Sequence, residues 1–173
     1  MEDQVFTIGS TKDAANFELV KEELVKQFAT QSLSDGADAA MAFETLTEPT
    51  YDEPAEPVIL EQFYNYKDNS VEDPEYEIKS LRYLMHLSTY TRNHNEWSKN
   101  VKNWKNNSSR MFAIVLQHCP KYLTQRLKST PRYSMTNTTK DIIDLTRRIR
   151  DASHAHDNTT QGTMSIVASN VSL

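Results

Sequence analysis

Few side chains in this sequence have the types and spacing that chemistry needs. His118 and Cys119 are adjacent, and His154 and His156 are one residue apart; no other histidines or cysteine cluster. Neither grouping has the spacing of a zinc knuckle or finger. Neighbours on a helix point about 100° apart, so His118 and Cys119 are poorly placed to share an ion. Adjacency also gives no nucleophile–base geometry, which leaves Cys119 without an activating partner. The acids Glu48, Asp52, Glu53 and Glu56 alternate with Pro49, Pro54 and Pro57, a composition for an extended linker rather than a paired-carboxylate site. No P-loop, GxGxxG, GxSxG or HExxH pattern occurs. These absences predict a protein that is not an enzyme and that needs no metal, no cofactor and no small-molecule substrate.

Two other groups of residues point to binding. Lys99, Lys102, Lys105, Arg110, Lys121, Arg126, Lys128, Arg147, Arg148 and Arg150 fall on successive predicted helices, a pattern suited to salt-sensitive, sequence-independent RNA contact through counterion release. The competing expectation for each of them is an ordinary solvated helix face. The second group is a seam: Trp97, Val101, Trp104, Met111 and Val115 follow steps of three and four residues, flanked by His94, Ser108 and His118 and closed by Cys119. Burial of both indoles in this core or assembly seam is expected, rather than base stacking.

The elements that carry these groups are read as helices throughout. Only three glycines occur in 173 residues, which argues against an all-β or glycine-loop fold. Ser10 and Asp13 resemble a capping box ahead of an amphipathic helix with Phe17, Val20, Leu24 and Phe28 on one face. A weak short helix is expected over 38–46, and a further apolar segment, VILEQFYNY, over 58–66. From Pro74 to Pro120 no glycine or proline intervenes, and Leu81, Leu84 and Leu87 continue toward the tryptophan seam. The cluster Asn106-Asn107-Ser108-Ser109 is the expected break in so long a run, because such side chains compete for backbone hydrogen bonds. Pro120 opens a helix with Tyr122, Leu123 and Leu127 inward, STPRYSMTNT reads as a loop, and a helix with Ile142, Leu145, Ile149 and Ala152 inward follows. A last helix is expected from about 159, with Met164, Val167 and Val171 on one side. It has no stop signal, which suggests truncation.

Charge is split along the chain. Residues 1–80 carry 5 lysines, no arginine and 19 acids, a net −14; residues 81–173 carry 14 basic side chains and 5 acids, a net +9. The predicted organisation is an acidic, partly disordered N-terminal region over 1–57, with one amphipathic helix and a proline-rich linker, followed by a helical domain over 58–173. The single cysteine fits a reducing compartment. With an acidic N-terminus and no run of about 18 apolar residues, a cytoplasmic location away from membranes is expected.

The stretch WSKNVKNWKNNSSRMFAIVLQHCPKYLTQRLK resembles the Gag polyprotein of copia-type LTR retrotransposons. The matching residues are Trp104, Asn107, Val115, Leu116, Gln117, His118, Cys119, Pro120 and Leu127. A later helix matches at Asp141, Ile142, Ile143, Leu145, Ile149, Arg150, Asp151 and His154. The resemblance covers roughly 74–173, with LQHCP its most specific part. It implies a transposable-element structural protein with an all-α, capsid-like helical bundle that self-associates and packages RNA. The chain departs from the family in having neither the CCHC knuckle nor the aspartic-protease DSG/DTG motif usually found downstream, as expected for an N-terminal piece or a degenerate copy. The alternative is a stand-alone helical nucleic-acid-binding module, autoinhibited by its acidic N-terminal region.

Overall fold

The computed structural model describes residues 5–10, 12–30, 36–57 and 76–155. Every regular element among them is helical: α1 (Asp13–Thr30), α2 (Gly36–Thr45), α3 (Tyr76–Gln117), α4 (Lys121–Ser129), α5 (Tyr133–Thr139) and α6 (142–155). The all-α expectation holds. The apolar segment over 58–66, the helix from about 159 and the truncated end all lie outside the described residues.

The chain forms two compact units, one made of Met1–Pro49 with Asn103–Leu173 and the other of Thr50–Lys102. This differs from the expected boundary at residue 57, and the reason lies in α1 and α2. The Ser10 amide donates to Asp13 Oδ2 (2.5 Å) and the Lys12 amide to Ser10 Oγ (3.2 Å), which fixes the start of α1. Phe17, Val20, Leu24 and Phe28 are then at most 1% exposed. In α2, Ala39, Ala40 and Ala42 are small enough for close approach to α1, and Phe43 meets Phe28 edge to face at 4.9 Å. The N-terminal residues before α1 belong to the same core, with Phe6 stacked at 5.7 Å on Phe17. These side chains form one cluster with Met111, Val115, Leu123, Leu127, Ile142, Leu145 and Ile149. The described part of the acidic N-terminal region up to Leu46, including the expected amphipathic helix, therefore supplies about half of the core. Asp13 is buried at the start of α1, while Glu18, Glu22, Glu23, Asp38 and Glu44 are exposed on helices whose inner faces are apolar.

Helix α2 ends at Leu46 in the left-handed region (φ 52°), with the Thr47 amide returning to the Ala42 carbonyl at 3.1 Å. A leucine in that conformation costs about 1–2 kcal/mol. Burial of its side chain and a 2.6 Å bond from Arg147 Nη2 to its carbonyl offset this.

Helix α3 runs for 42 residues without the expected break at 106–109. Asn107 and Ser108 face inward, and the Ser108 hydroxyl is engaged elsewhere. It donates to the Lys140 carbonyl (2.7 Å) and accepts from the Ile142 amide (3.4 Å), serving the start of α6. Ser109 bonds back to the Lys105 carbonyl at 3.0 Å inside the same helix. The stretch expected as a loop after Thr130 contains α5. Tyr133 and Thr136 are buried there, and hydroxyls of Thr138 and Thr139 satisfy carbonyls one turn back. Tyr122, expected inward, is 48% exposed, whereas Leu123 and Leu127 are buried.

A chain lacking residues 1–49 loses Phe6, Phe17, Val20, Leu24, Phe28, Phe43 and Leu46 from the core, so it is expected to show no cooperative thermal transition by circular dichroism. Phe28→Ala in the full chain is expected to cost about 3–5 kcal/mol in denaturant titrations.

Candidate assembly and nucleic-acid surfaces

The LQHCP turn is structural. The His118 and Cys119 amides return to the Val115 and Leu116 carbonyls (both 3.1 Å), closing α3, and the His118 carbonyl accepts the Phe6 amide at 2.9 Å. Pro120, with φ −61° and ψ 160°, starts α4 at a position that needs no amide proton. Cys119 is buried with its thiol donating to the Val115 carbonyl (3.3 Å), and burial pushes that thiol up to about 12. It is held as a small apolar side chain rather than a nucleophile. Among the described residues no three of His, Cys, Asp and Glu gather as a metal site requires, and His156 of the histidine pair lies outside them.

The seam divides in two. Met111 and Val115 are fully buried and Cys119 nearly so, all in the first unit's core. Val101 is 39% exposed, and Trp97 and Trp104 are only half-buried. The indoles act as hydrogen-bond donors to the proline-rich segment, which is an anchored strap and not a free linker. In the first unit Trp104 Nε1 donates to the Glu48 carboxylate at 3.0 Å. In the second unit Trp97 Nε1 donates to the Tyr51 carbonyl at 3.1 Å, and His94 packs between the rings of Tyr90 (5.6 Å) and Trp97 (5.3 Å). Within that unit, Thr50–Pro57 lies extended beside α3, with Tyr51 and Pro54 flanking Asn93 and Trp97, and Pro57 near His86. Sequence reasoning missed these acceptors. The signal was the need of a half-buried indole N–H for a partner, which the acids and free carbonyls of an extended segment supply.

The ten candidate cations separate by partner. Arg148 is a clamp: its Nε donates to Asp144 (2.7 Å), and its Nη1 to the Thr130 hydroxyl (3.1 Å) and the Pro131 carbonyl (2.8 Å). Asp144 also accepts the Thr136 hydroxyl, and its amide is capped by Asp141 (2.9 Å). Burial alone would raise the Asp144 carboxyl. The bonds from Thr136 and Arg148, with the charges of Arg148 and Arg147, outweigh it and hold the carboxyl below its ordinary value of 3.8. Arg147 holds the end of α2, and Arg150 pairs with Asp151 at 3.5 Å. Arg148, half-buried, and Arg147, exposed but bonded to the Leu46 carbonyl, thus fasten α6 to the α4–α5 connection and to the end of α2. By contrast, Lys105 and Arg110 on α3 and Lys121, Arg126 and Lys128 on α4 are exposed and form no ion pair among the described residues. Lys99 and Lys102 are exposed on the second unit's part of α3.

No known protein family, curated protein or solved structure matches this chain. Among the described residues no helix is long and apolar enough to cross a membrane.

Native Cys119 is expected to resist a thiol reagent at pH 8 and to react stoichiometrically once guanidinium unfolds the chain. The folded state keeps its proton beyond the point at which an unfolded cysteine loses it. The stability it contributes is therefore complete below about pH 9 and lost as pH rises from there toward about 12. The Asp144 clamp has the opposite sign. Its contribution is complete above the ordinary value of 3.8 and is lost as pH falls through the depressed one. Arg148→Ala is expected to lower stability by about 1–3 kcal/mol in urea titrations and to flatten that acid limb.

Proposed function

We propose that this chain is a Gag-like structural protein, a helical capsid-type module that associates with copies of itself and holds RNA without sequence preference and without catalysis. The observation that carries the reading is the meeting of the two stretches with Gag resemblance. Residues 104–120 and 141–154 share one core, where Met111 and Val115 lie in the same cluster as Ile142, Leu145 and Ile149, and Ser108 joins α3 to the start of α6. Val115, Ile142, Leu145 and Ile149, which carry part of the resemblance, lie in that core, which supports a common architecture. Lys105, Arg110, Lys121, Arg126 and Lys128 support the RNA part, since they are exposed and form no ion pair among the described residues, which suits displacement of counterions from phosphates. The autoinhibited alternative is weakened by the packing of α1 and α2. An inhibitor that supplies half of the core does not swing away, and Glu18 and Glu22 already face Lys21 and Lys26 (3.3 and 2.8 Å).

The test is single-stranded RNA binding followed by anisotropy across a salt series. Replacing Lys105, Arg110, Lys121, Arg126 and Lys128 together by glutamine is expected to weaken binding at least tenfold. It should also lower the slope of log affinity against log salt by roughly 0.7 per lost contact. The melting temperature should hold, because none of the five supports the core. An unchanged affinity and slope would remove RNA from the account.

A further inference from the structure

One hydroxyl in the strap stands apart from the others of its kind. Every other described threonine donates its hydroxyl to a protein acceptor. Thr50, exposed at the start of the extended segment, makes no such bond among the described residues. Asp52 and Glu53, two and three positions further on, are exposed as well. Four described serines or threonines have an acid three residues later: Ser10, Thr45, Thr50 and Thr138. Ser32 and Ser70 share that spacing and lie outside the described residues. The fold separates the four. Ser10 caps α1 beside the buried Asp13, Thr45 donates to the Met41 carbonyl in α2 (2.9 Å), and Thr138 donates to the Ser134 carbonyl in α5 (2.8 Å). Only Thr50 presents an unengaged hydroxyl and its acids together on extended, exposed backbone.

We propose that Thr50 is a phosphorylation site for an acid-directed serine/threonine kinase, and that the phosphate releases the strap from α3 within the second unit. Such a kinase binds its substrate extended and reads the carboxylates after the acceptor with its own cations. In the transfer, Thr50 Oγ1 attacks the γ-phosphorus of Mg-ATP in line. The bond to the β,γ-bridging oxygen breaks, ADP leaves, and the hydroxyl proton passes to the catalytic aspartate of the kinase. The modification adds a charge of about −1.5 to −2 at pH 7. That charge falls in a cleft that Thr50 shares with Asp52 and Glu53 of the strap and Glu96 of α3, and no lysine or arginine is among the described residues lining it. The phosphate meets like charges on both sides and gains no cation, so repulsion favours the separated strap. The contact at stake is the bond from Trp97 Nε1 to the carbonyl of Tyr51, the next residue along.

The test incubates the full chain with casein kinase II and Mg-ATP and follows each site by mass spectrometry. Thr50 is expected to be modified at least tenfold faster than Ser10, Thr45 or Thr138. Thr50→Val should remove that phosphate at an unchanged melting temperature, and Glu53→Gln should slow its addition at least tenfold. After phosphorylation the Trp97 indole proton, assigned in NMR spectra with Trp97→Phe, is expected to exchange with water at least tenfold faster. A Thr50 that takes no phosphate in the native chain, or takes it no faster than Thr138, overturns the site. Phosphate on Thr50 with unchanged exchange at Trp97 overturns the release.

Discussion

The structure depends on closing one aromatic core from the two ends of the described chain. Phe6, Phe17, Phe28 and Phe43 have no apolar partners of their own beyond α1 and α2, and Met111, Val115, Ile142 and Ile149 supply the other wall. Two short helices bury too little surface to persist alone in water. Much else follows from that closure. Arg147 reaches from α6 to the end of α2, Phe6 hydrogen-bonds across the LQHCP turn, and Ser153 donates to the Thr7 carbonyl at 3.3 Å. Among the described acids of the N-terminal region, Asp13 is buried where it caps α1, Glu18 and Glu22 pair with lysines at the surface, and Glu48 accepts an indole proton.

The helices were largely legible in the sequence, because their inner faces repeat at three and four residues. Phe17–Val20–Leu24–Phe28 and Ile142–Leu145–Ile149 occupy the faces their spacing predicts. Periodicity fixes a face but not its partner. The N-terminal amphipathic helix was legible, but its aromatic face had no visible destination in the sequence. The α3 seam looked uniformly buried because an unbroken run of three- and four-residue steps connects Leu84 and Val101 to Met111 and Val115, although such steps drift around a straight helix. Only contacts from elsewhere in the chain determine where along a helix burial begins.

The polar residues were less legible still. Asn107 and Ser108 read as a break, since propensity treats a serine hydroxyl as a competitor for its own backbone; the hydroxyl instead serves Lys140 and Ile142, some 30 residues away. Arg147 and Arg148 read as RNA contacts on the strength of charge alone, and the acceptors that hold them, the Leu46 carbonyl and Asp144, are invisible until the fold brings them near. Lys105, Arg110, Lys121, Arg126 and Lys128 of α3 and α4 are exposed among the described residues.

The central claim is that both ends of the described chain form one cooperative core, and native-state hydrogen exchange measures it most directly. The account predicts that core amides of α1, the 107–117 part of α3, and α6 exchange only through a common opening, with the same free energy and the same denaturant dependence. Free exchange of α1 while α6 stays protected would contradict it. It would restore the N-terminal region to the role of a detachable acidic arm.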